Sequence, residues 1–497
     1  MIAETTSLPS QADDAVALLA KLAVPVTRIT SDSRRVNRGD AFAAYPGTRR
    51  DGRTYIGEAI TRGAGAVFWE PRGFVWDRAW KIPHLPVEHL KARLGALADW
   101  IYGRPSRELW MVGVTGTNGK TSCAHWIAAG LDAAGRRAAV LGTLGNGLWG
   151  TLEEAPNTTA DAALLHETLR TLRAQGAQSV TMEVSSHGLD QGRVNAVAFD
   201  VALFTNLSRD HLDYHGTMGA YGAAKARLFA WPGLQVGVVN ADDAFGQSLI
   251  DASHSAGRKI LTYGFGAADI VGTRLTAGTS GLAFAVATPW GKGEIHTRLV
   301  GAFNAANLLG VLAVLLVSGM GIEQAVALLA RVEAPPGRMQ RLGGDGAPLV
   351  VIDYAHTPDA LDKVLTALRP AVGSGGELVC VFGCGGDRDR GKRPEMGRVA
   401  ARLADRVIVT SDNPRSEEPE AIASEIVHGI RDTGNRRYSV ELDRAAAIAR
   451  AVGEARRGDV VLLAGKGHEP YQEAAGVRHP FLDADHAARV LASRNFR

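Results

Sequence analysis

Lys120 stands at the end of a glycine-rich run, Gly113-Val114-Thr115-Gly116-Thr117-Asn118-Gly119, and is followed by Thr121 and Ser122. These residue types at this spacing could hold a polyphosphate. Gly116 and Gly119 let backbone N–H groups approach phosphate oxygens, and the first N–H groups of a following helix point at the same anion. The Lys120 ammonium adds a point charge for the outer phosphates, and a Thr121 or Ser122 hydroxyl can be offered to magnesium. The usual spacing, G-x-x-x-x-G-K-[ST], would need glycine at position 114, where the chain carries Val114. A glycine turn that binds nothing is the alternative. The lysine–threonine pair opening a helix argues against it and for a nucleoside triphosphate.

Other polar groups could complete such a site. Glu183 ends the apolar run Val180-Thr181-Met182 and precedes Val184-Ser185-Ser186-His187. A carboxylate at the C-terminal end of a parallel strand is well placed to meet magnesium, although an ordinary strand-end carboxylate looks the same. The segment Arg209-Asp210-His211-Leu212-Asp213-Tyr214-His215 is dense in charge, and one of its histidines could coordinate a metal. Lys225, in Gly222-Ala223-Ala224-Lys225-Ala226-Arg227, reads locally as a helix-surface lysine. Near the start, Ser31, Ser33, Thr48, Arg49 and Arg50 lie on short loops. They could hold a phosphorylated ligand, but by themselves they read better as surface turn chemistry. Asn304 could cap a helix or face a base.

The elements that must position these groups follow from periodicity. Leu109–Val112 reads as a buried strand, and Ala124, Ile127, Ala128 and Leu131 recur at helical spacing behind the loop. Strands are expected at 138–143, 180–184, 201–206 and 236–240, with helices between them, which makes a parallel, doubly wound sheet. Short alternating strands follow, at 281–286 and 295–300. After Pro335-Pro336-Gly337-Arg338, which reads as a linker, a second doubly wound unit has strands at 349–353, 378–382, 407–410 and 460–464. The last three run into Gly383–Asp389, Ser411–Arg415 and Gly465–Glu469, polar loops that should converge on one small molecule.

The fold class is therefore α/β, and 497 residues suggest roughly three domains, expected at 1–108, 109–337 and 338–497. A net charge of +3 and 6% aromatic residues argue against nucleic acid and against an anionic membrane surface. Three cysteines, Cys123, Cys380 and Cys384, fit reduced thiols in a cytoplasmic protein. No basic segment precedes an apolar core at the start, so no signal peptide is expected. The long uncharged run Ala302–Gly321 contains Asn304 and Asn307 and reads as a core helix, not a membrane span.

Over nearly its whole length the chain resembles the Mur ligases, ATP-dependent amide ligases that build the peptidoglycan stem peptide. The resemblance rests on Ser31-Asp32-Ser33-Arg34, Gly116–Thr121, Met182–His187, Thr205–Asp213, Gly301-Ala302-Phe303-Asn304, Pro336-Gly337-Arg338, Asp412-Asn413-Pro414-Arg415 and Gly465-Lys466-Gly467-His468-Glu469. The phosphate loop without glycine at 114 is the family's own form. Ala160 departs from the family, which usually shows proline after Asn157-Thr158-Thr159.

The resemblance implies three domains: a small N-terminal UDP-binding domain, a central ATPase domain and a C-terminal Rossmann-like domain. It implies that Lys225 is carbamylated and helps hold magnesium, with Glu183, His211 and Thr121 as further ligands. Lys120, Glu183, His211 and Lys225 would carry catalysis. Gly116, Thr117, Asn118, Gly119, Lys120, Thr121, Ser122, Asn304, Arg338 and Asp353 would meet ATP. Ser31, Ser33, Thr48, Arg49, Arg50, Asn157, Thr158, Thr159, Ser186, Gln191 and Arg193 would hold UDP-N-acetylmuramoyl-L-alanyl-D-glutamate. Arg388, Asp412, Asn413, Pro414, Arg415, Gly465 and Glu469 would hold the incoming amino acid.

The D-N-P-R form goes with meso-2,6-diaminopimelate, whose distal carboxylate suits a guanidinium fork such as that of Arg415. L-lysine as the added amino acid, a folylpolyglutamate synthetase-like ligase and a catalytically silent nucleotide-binding scaffold are the other readings. A monomer is expected.

Overall fold

The structure, a computed structural model, describes residues 11–22, 24–47, 50–155, 157–278, 280–344 and 346–493. The chain forms two compact units, the first from residues up to Lys120 with Ile127–Thr262, the second from Thr121–Trp126 with Tyr263 onward.

The first unit holds two sheets. Ile29–Thr30, Ala41–Ala44, Ala66–Trp69 and His84–Pro86 form a parallel four-stranded sheet in chain order. Successive side chains of a strand point to opposite faces. Ala41 and Ala43 accordingly pack with Leu18, Leu94 and Leu97 of helices Gln11–Leu22 and Leu90–Ile101, while Phe42 and Ala44 pack with Ile56, Ala59 and Val67 on the other face.

The second sheet places the phosphate loop. Its strand Trp110–Thr115 lies between Ser179–Glu183 and Val201–Phe204, flanked in turn by Ala138–Gly142 and Val236–Asn240, all parallel. These strands are buried almost throughout, as expected of a sheet covered on both faces. The order brings the strand ends at Thr115, Glu183 and Phe204 side by side. Gly145–Leu148 and Thr151–Glu153 extend the edge antiparallel.

In the second unit Ile270–Gly278, Gly281–Thr288 and Gly291–Thr297 form an antiparallel meander. Helix Ala302–Val317 is buried along nearly its whole length, and no helix of the described residues is long and apolar enough to cross a membrane. A six-stranded sheet follows, in the order Gln340–Gly343, Leu349–Asp353, Val460–Ala464, Leu378–Phe382, Arg406–Val409, Tyr438–Val440. Only its first strand is antiparallel to its neighbour. The stretch expected to be a linker is a packed turn: Arg338 N–H donates to Pro335 O (3.0 Å), and a Cβ on Gly337 would overlap the Gly467–His468 backbone.

Helices Lys392–Leu403 and Pro419–Arg431 approach through glycines. A Cβ on Gly397 would overlap the Ile426 carbonyl, and one on Gly429 the Pro394 carbonyl. Backbone cannot yield as a side-chain tip can, so Gly397→Ala should destabilise the fold by about 1–3 kcal/mol. Thermal and urea unfolding of the two proteins would measure it; an unchanged midpoint would contradict the close approach.

Candidate active site

The phosphate loop is held by the segment after Val201–Phe204. Thr117 N–H donates to Asn206 O (2.8 Å), Asn118 N–H to Asn206 Oδ1 (3.1 Å) and Thr205 Oγ1 to Asn118 O (2.6 Å). Gly116 has φ 150°, and a Cβ there would overlap Thr205 Oγ1. Gly119, in the left-handed region, leads into helix Lys120–Ala133, whose first residues include the buried Thr121 and Ser122.

Two lysines converge on one carbonyl. Lys120 Nζ donates to Gly116 O (2.9 Å) and Thr117 O (2.8 Å), and Lys225 Nζ donates to Gly116 O (2.8 Å). Lys225 is 1% exposed, on helix Met218–Ala226, whose small residues let it pack closely. Burial pushes its ammonium well below the usual lysine range, and the like charge of Lys120 adds to this against Asp210. Its Nζ lies 4.5 Å from the centre of the Tyr221 ring. The reading of Lys225 as a surface lysine is thereby corrected: helix packing, invisible in local sequence, buries it.

Glu183 is 1% exposed and accepts from Thr143 N–H (2.8 Å) and Thr143 Oγ1 (3.3 Å). His211 sits at φ 53°, a strained left-handed conformation for a residue with a Cβ. Burial, then Lys120 and Lys225, hold its pKa below the ordinary imidazole value, against Asp210 and Asp213. Its ring packs 4.8 Å from that of His187. Among the described residues no three His, Cys, Asp or Glu side chains cluster as a metal site. A magnesium site here would need oxygen from hydroxyls, phosphates or a modified lysine. Glu183 and Thr121 are hard oxygen donors of the kind that ion takes.

Beside this lie two cavities. One of about 190 Å³ is lined by Tyr45, Lys91, Asn157, Asp161, Gln191 and Arg193 among others. A larger one, about 500 Å³, shares Tyr45, Lys91, Gln191 and Gly192 with it. Gln191 Oε1 accepts from Arg193 Nε (3.0 Å) and Nη2 (2.7 Å), Arg193 Nη1 donates to Thr159 O (2.8 Å), and Gln191 Nε2 donates to Tyr214 Oη (3.3 Å). Thr159 donates to Glu183 O (2.9 Å), Thr158 and Thr143 share a hydrogen bond (3.0 Å), and Ser186 pairs with His215 Nε2 (3.0 Å). Of the residues expected around the acceptor, Gln191, Arg193 and Thr159 are chained to the Glu183 carbonyl and Thr158 reaches the Glu183 carboxylate through Thr143, whereas Ser186 is bonded separately to His215.

Ser31 donates to Asp161 Oδ1 (3.2 Å), the cap of helix Ala162–Ala174. Ser33 is buried and donates to Glu58 (3.1 Å), and Arg50 is exposed beside Tyr55. Thr48 and Arg49 lie outside the described residues.

In the second unit Arg338 lies over the Tyr354 ring (4.7 Å). Asp353 accepts from Met339 N–H (2.8 Å); burial pushes its carboxyl up to about 6, against Arg338. His125 and His468 are pushed down to about 4 by burial and then by the Arg338 charge. Sequence reasoning left both without a role. Asn304 does not cap its helix: Gly301 is the cap residue, and Asn304 Nδ2 donates to Val300 O (2.8 Å) while its Oδ1 accepts from Asn307 (3.2 Å).

The three polar loops of the last sheet do converge. Asn413 Nδ2 donates to Glu469 (2.8 Å), and its Oδ1 accepts from Lys466 Nζ (3.0 Å) and Glu473 N–H (3.0 Å). Asp412 is buried, with its Oδ2 only 2.6 Å from where a Cβ on Gly465 would stand, so position 465 needs glycine for space as well as for its φ of 106°. Pro414 passes so close to Gly386 that a Cβ there would overlap its carbonyl. Arg415, at φ 53°, donates to Gly386 O (2.7 Å) and faces Glu473 at 3.9 Å; Arg388 is exposed near Asp387. Lys466, fully buried, was named in the sequence only as part of its loop, and half-buried Glu473 not at all; both pair with Asn413, which lies in another loop.

Three family patterns match the chain: Mur ligase family, catalytic domain, over residues 25–102; Mur ligase middle domain over 114–315; and Mur ligase, glutamate ligase domain over 337–467. A UDP-N-acetylmuramoyl-L-alanyl-D-glutamate–2,6-diaminopimelate ligase of Chromobacterium violaceum is 51% identical over 494 residues, covering 99% of each chain. One of Ectopseudomonas mendocina is 50% identical, covering 95% of this chain and 96% of its own. A solved structure of a ligase of that name is 39% identical with a TM-score of 0.70, covering 95% of this chain and 96% of the other.

Gly116→Ala should displace Thr205 from Asn118 and lower the affinity for a non-hydrolysable nucleoside triphosphate at least tenfold. Titration calorimetry reads this directly, and unchanged affinity would remove the loop from nucleotide binding.

Proposed function

The chain belongs to the Mur ligase family, with its three-domain α/β fold, and we infer that it joins 2,6-diaminopimelate to the D-glutamate of UDP-N-acetylmuramoyl-L-alanyl-D-glutamate with ATP, in peptidoglycan precursor synthesis. Residues 1–108 bind the UDP-sugar, 109–337 bind ATP and carry the chemistry, and 338–497 bind the amino acid. The reaction uses ATP, so its place is the cytoplasm.

The glutamate side-chain carboxylate attacks the γ-phosphorus of ATP, and ADP leaves to give an acyl phosphate. The neutral amine of diaminopimelate then attacks the acyl carbon, loses a proton, and inorganic phosphate leaves. Phosphoryl transfer needs positioning and charge neutralisation more than covalent help from the protein. Lys120 supplies charge to the transferred phosphoryl group. Gly116–Ser122 cradle the phosphates, and Asn304, Arg338 and Asp353 hold the nucleoside. Thr158, Thr159, Ser186, Gln191 and Arg193 orient the acceptor, and Asp412–Arg415 with Arg388, Gly465 and Glu469 orient the amino acid. Thr121, Glu183, His211 and the carbamate of Lys225 are the residues that would hold magnesium. When bound, that ion neutralises phosphate charge.

The observation that carries this reading is Lys225 Nζ, buried on the Gly116 carbonyl beside a second lysine. Carbon dioxide adds only to a neutral amine, and burial favours that form. The carbamate would turn that amine into an anionic oxygen ligand.

Phosphate release from ATP should require UDP-N-acetylmuramoyl-L-alanyl-D-glutamate and diaminopimelate together. L-lysine should be a poor replacement, since it lacks the distal carboxylate for Arg415 to bind, a loss of roughly 1.5–3 kcal/mol. Equal turnover of the two amino acids would overturn the specificity, and release independent of the acceptor would overturn the ligase.

Lys225→Ala should cost at least a hundredfold in turnover, with formate or acetate restoring part of it by standing in for the carbamate. ¹³C-bicarbonate should give a carbamate signal in the wild type that the variant lacks. An unimpaired variant would remove Lys225 from the mechanism.

A further inference from the structure

Under the amino-acid loops lies a charge pair that the reaction as described does not use. Arg444 and Asp483 are fully buried, each side chain 0% exposed. Arg444 opens helix Arg444–Glu454 and Asp483 opens helix Asp483–Ser493. Arg444 Nε and Nη2 donate to the two Asp483 carboxylate oxygens (2.7 and 2.6 Å), a bidentate fork. The same guanidinium donates through Nη2 to Ala464 O (3.0 Å) and through Nη1 to Ser411 O (3.3 Å).

Those two carbonyls are the last backbone groups before Gly465 and Asp412. The strands that end there, Val460–Ala464 and Arg406–Val409, are not neighbours, because Leu378–Phe382 runs between them. No ladder hydrogen bond therefore sets the distance between loop 411–415 and loop 465–469. Gly383, at the end of the intervening strand, lets the 410–412 backbone pass close by: a Cβ there would overlap the Thr410 carbonyl and stand 2.8 Å from Asp412 N. The guanidinium reaches both carbonyls across that end, and Asp483 fixes its plane. Asp412 is held among Arg444, Lys466, Glu469 and Asp483, packed against Gly465.

We propose that Arg444, locked by Asp483, is a positioning residue for the amino-acid substrate: it sets the separation of the Asp412–Arg415 and Gly465–Glu469 loops. The proposal rests on the ligase reading, through the assignment of those loops to diaminopimelate. Only arginine fits the task. Lysine carries three donors on one point charge and cannot serve a bidentate carboxylate and two carbonyls in a plane.

Two variants test it. Arg444→Lys keeps the buried charge pair, and Arg444→Met combined with Asp483→Leu removes both charges, an exchange that buried pairs often tolerate. In both, KM for diaminopimelate should rise at least tenfold. KM for ATP and for the UDP-sugar substrate should stay within twofold, and kcat at saturating diaminopimelate within threefold. An unchanged KM for diaminopimelate overturns the proposal, and so does a loss shared equally by all three substrates. Failure of both variants to fold overturns it too, since the pair is then a stability element. A wild-type enzyme without diaminopimelate-dependent phosphate release refutes the ligase reading itself, whereas an active wild type beside unaltered variants refutes only the role of Arg444.

Discussion

Two lysine side chains share the carbonyl oxygen of Gly116, and the rest of the ATP end is arranged to make that possible. Burial away from water, and then the like charge beside it, drive one of the amines toward its neutral form. The buried member is Lys225, with Tyr221 beneath it. Gly116 reaches the common point because Thr205 and Asn206 hold the loop from the next strand. A neutral buried amine beside a glycine loop suits reaction with carbon dioxide better than it suits direct phosphate binding.

The loops of the six-stranded sheet solve a different problem with the same means. Its loops leave the ends of parallel strands, where side chains converge but no backbone ladder continues. Buried arginines do the fastening. Arg393 bonds Glu417 (2.8 Å), Glu425 (3.0 Å) and Gly385 O (3.3 Å) on one side, and Arg444 ties Ser411 and Ala464 to Asp483 on the other. Asn413, Lys466 and Glu469 then close the space between two of the loops. In the proposed ligase the charges that a substrate with two carboxylates and two amines would meet are fixed before it arrives, so less ordering remains for the binding step.

Much of this was legible along the chain wherever an element is long and apolar. The strands expected at 349–353, 378–382 and 460–464 match those observed, and the one expected at 407–410 is found at Arg406–Val409. Gln340–Gly343 and Tyr438–Val440 were not foreseen. They are short, half-exposed edge strands without an apolar run. Ile270–Gly278 escaped because its burial is interrupted along its length.

Sequence by itself determined the class of chemistry and the family: a glycine loop with Lys120 and Thr121, an acidic strand end at Glu183, and the blocks shared with Mur ligases. Those signals are local, because phosphate binding depends on consecutive backbone N–H groups and on residues at fixed offsets. Only the tertiary structure decided that Lys225 is buried and bonded to Gly116, 109 positions away, and that Arg444 holds two loops to Asp483. Burial is a property of neighbours brought by other elements, and the same Gly-Ala-Ala-Lys-Ala segment on an exposed helix would carry an ordinary ammonium in water.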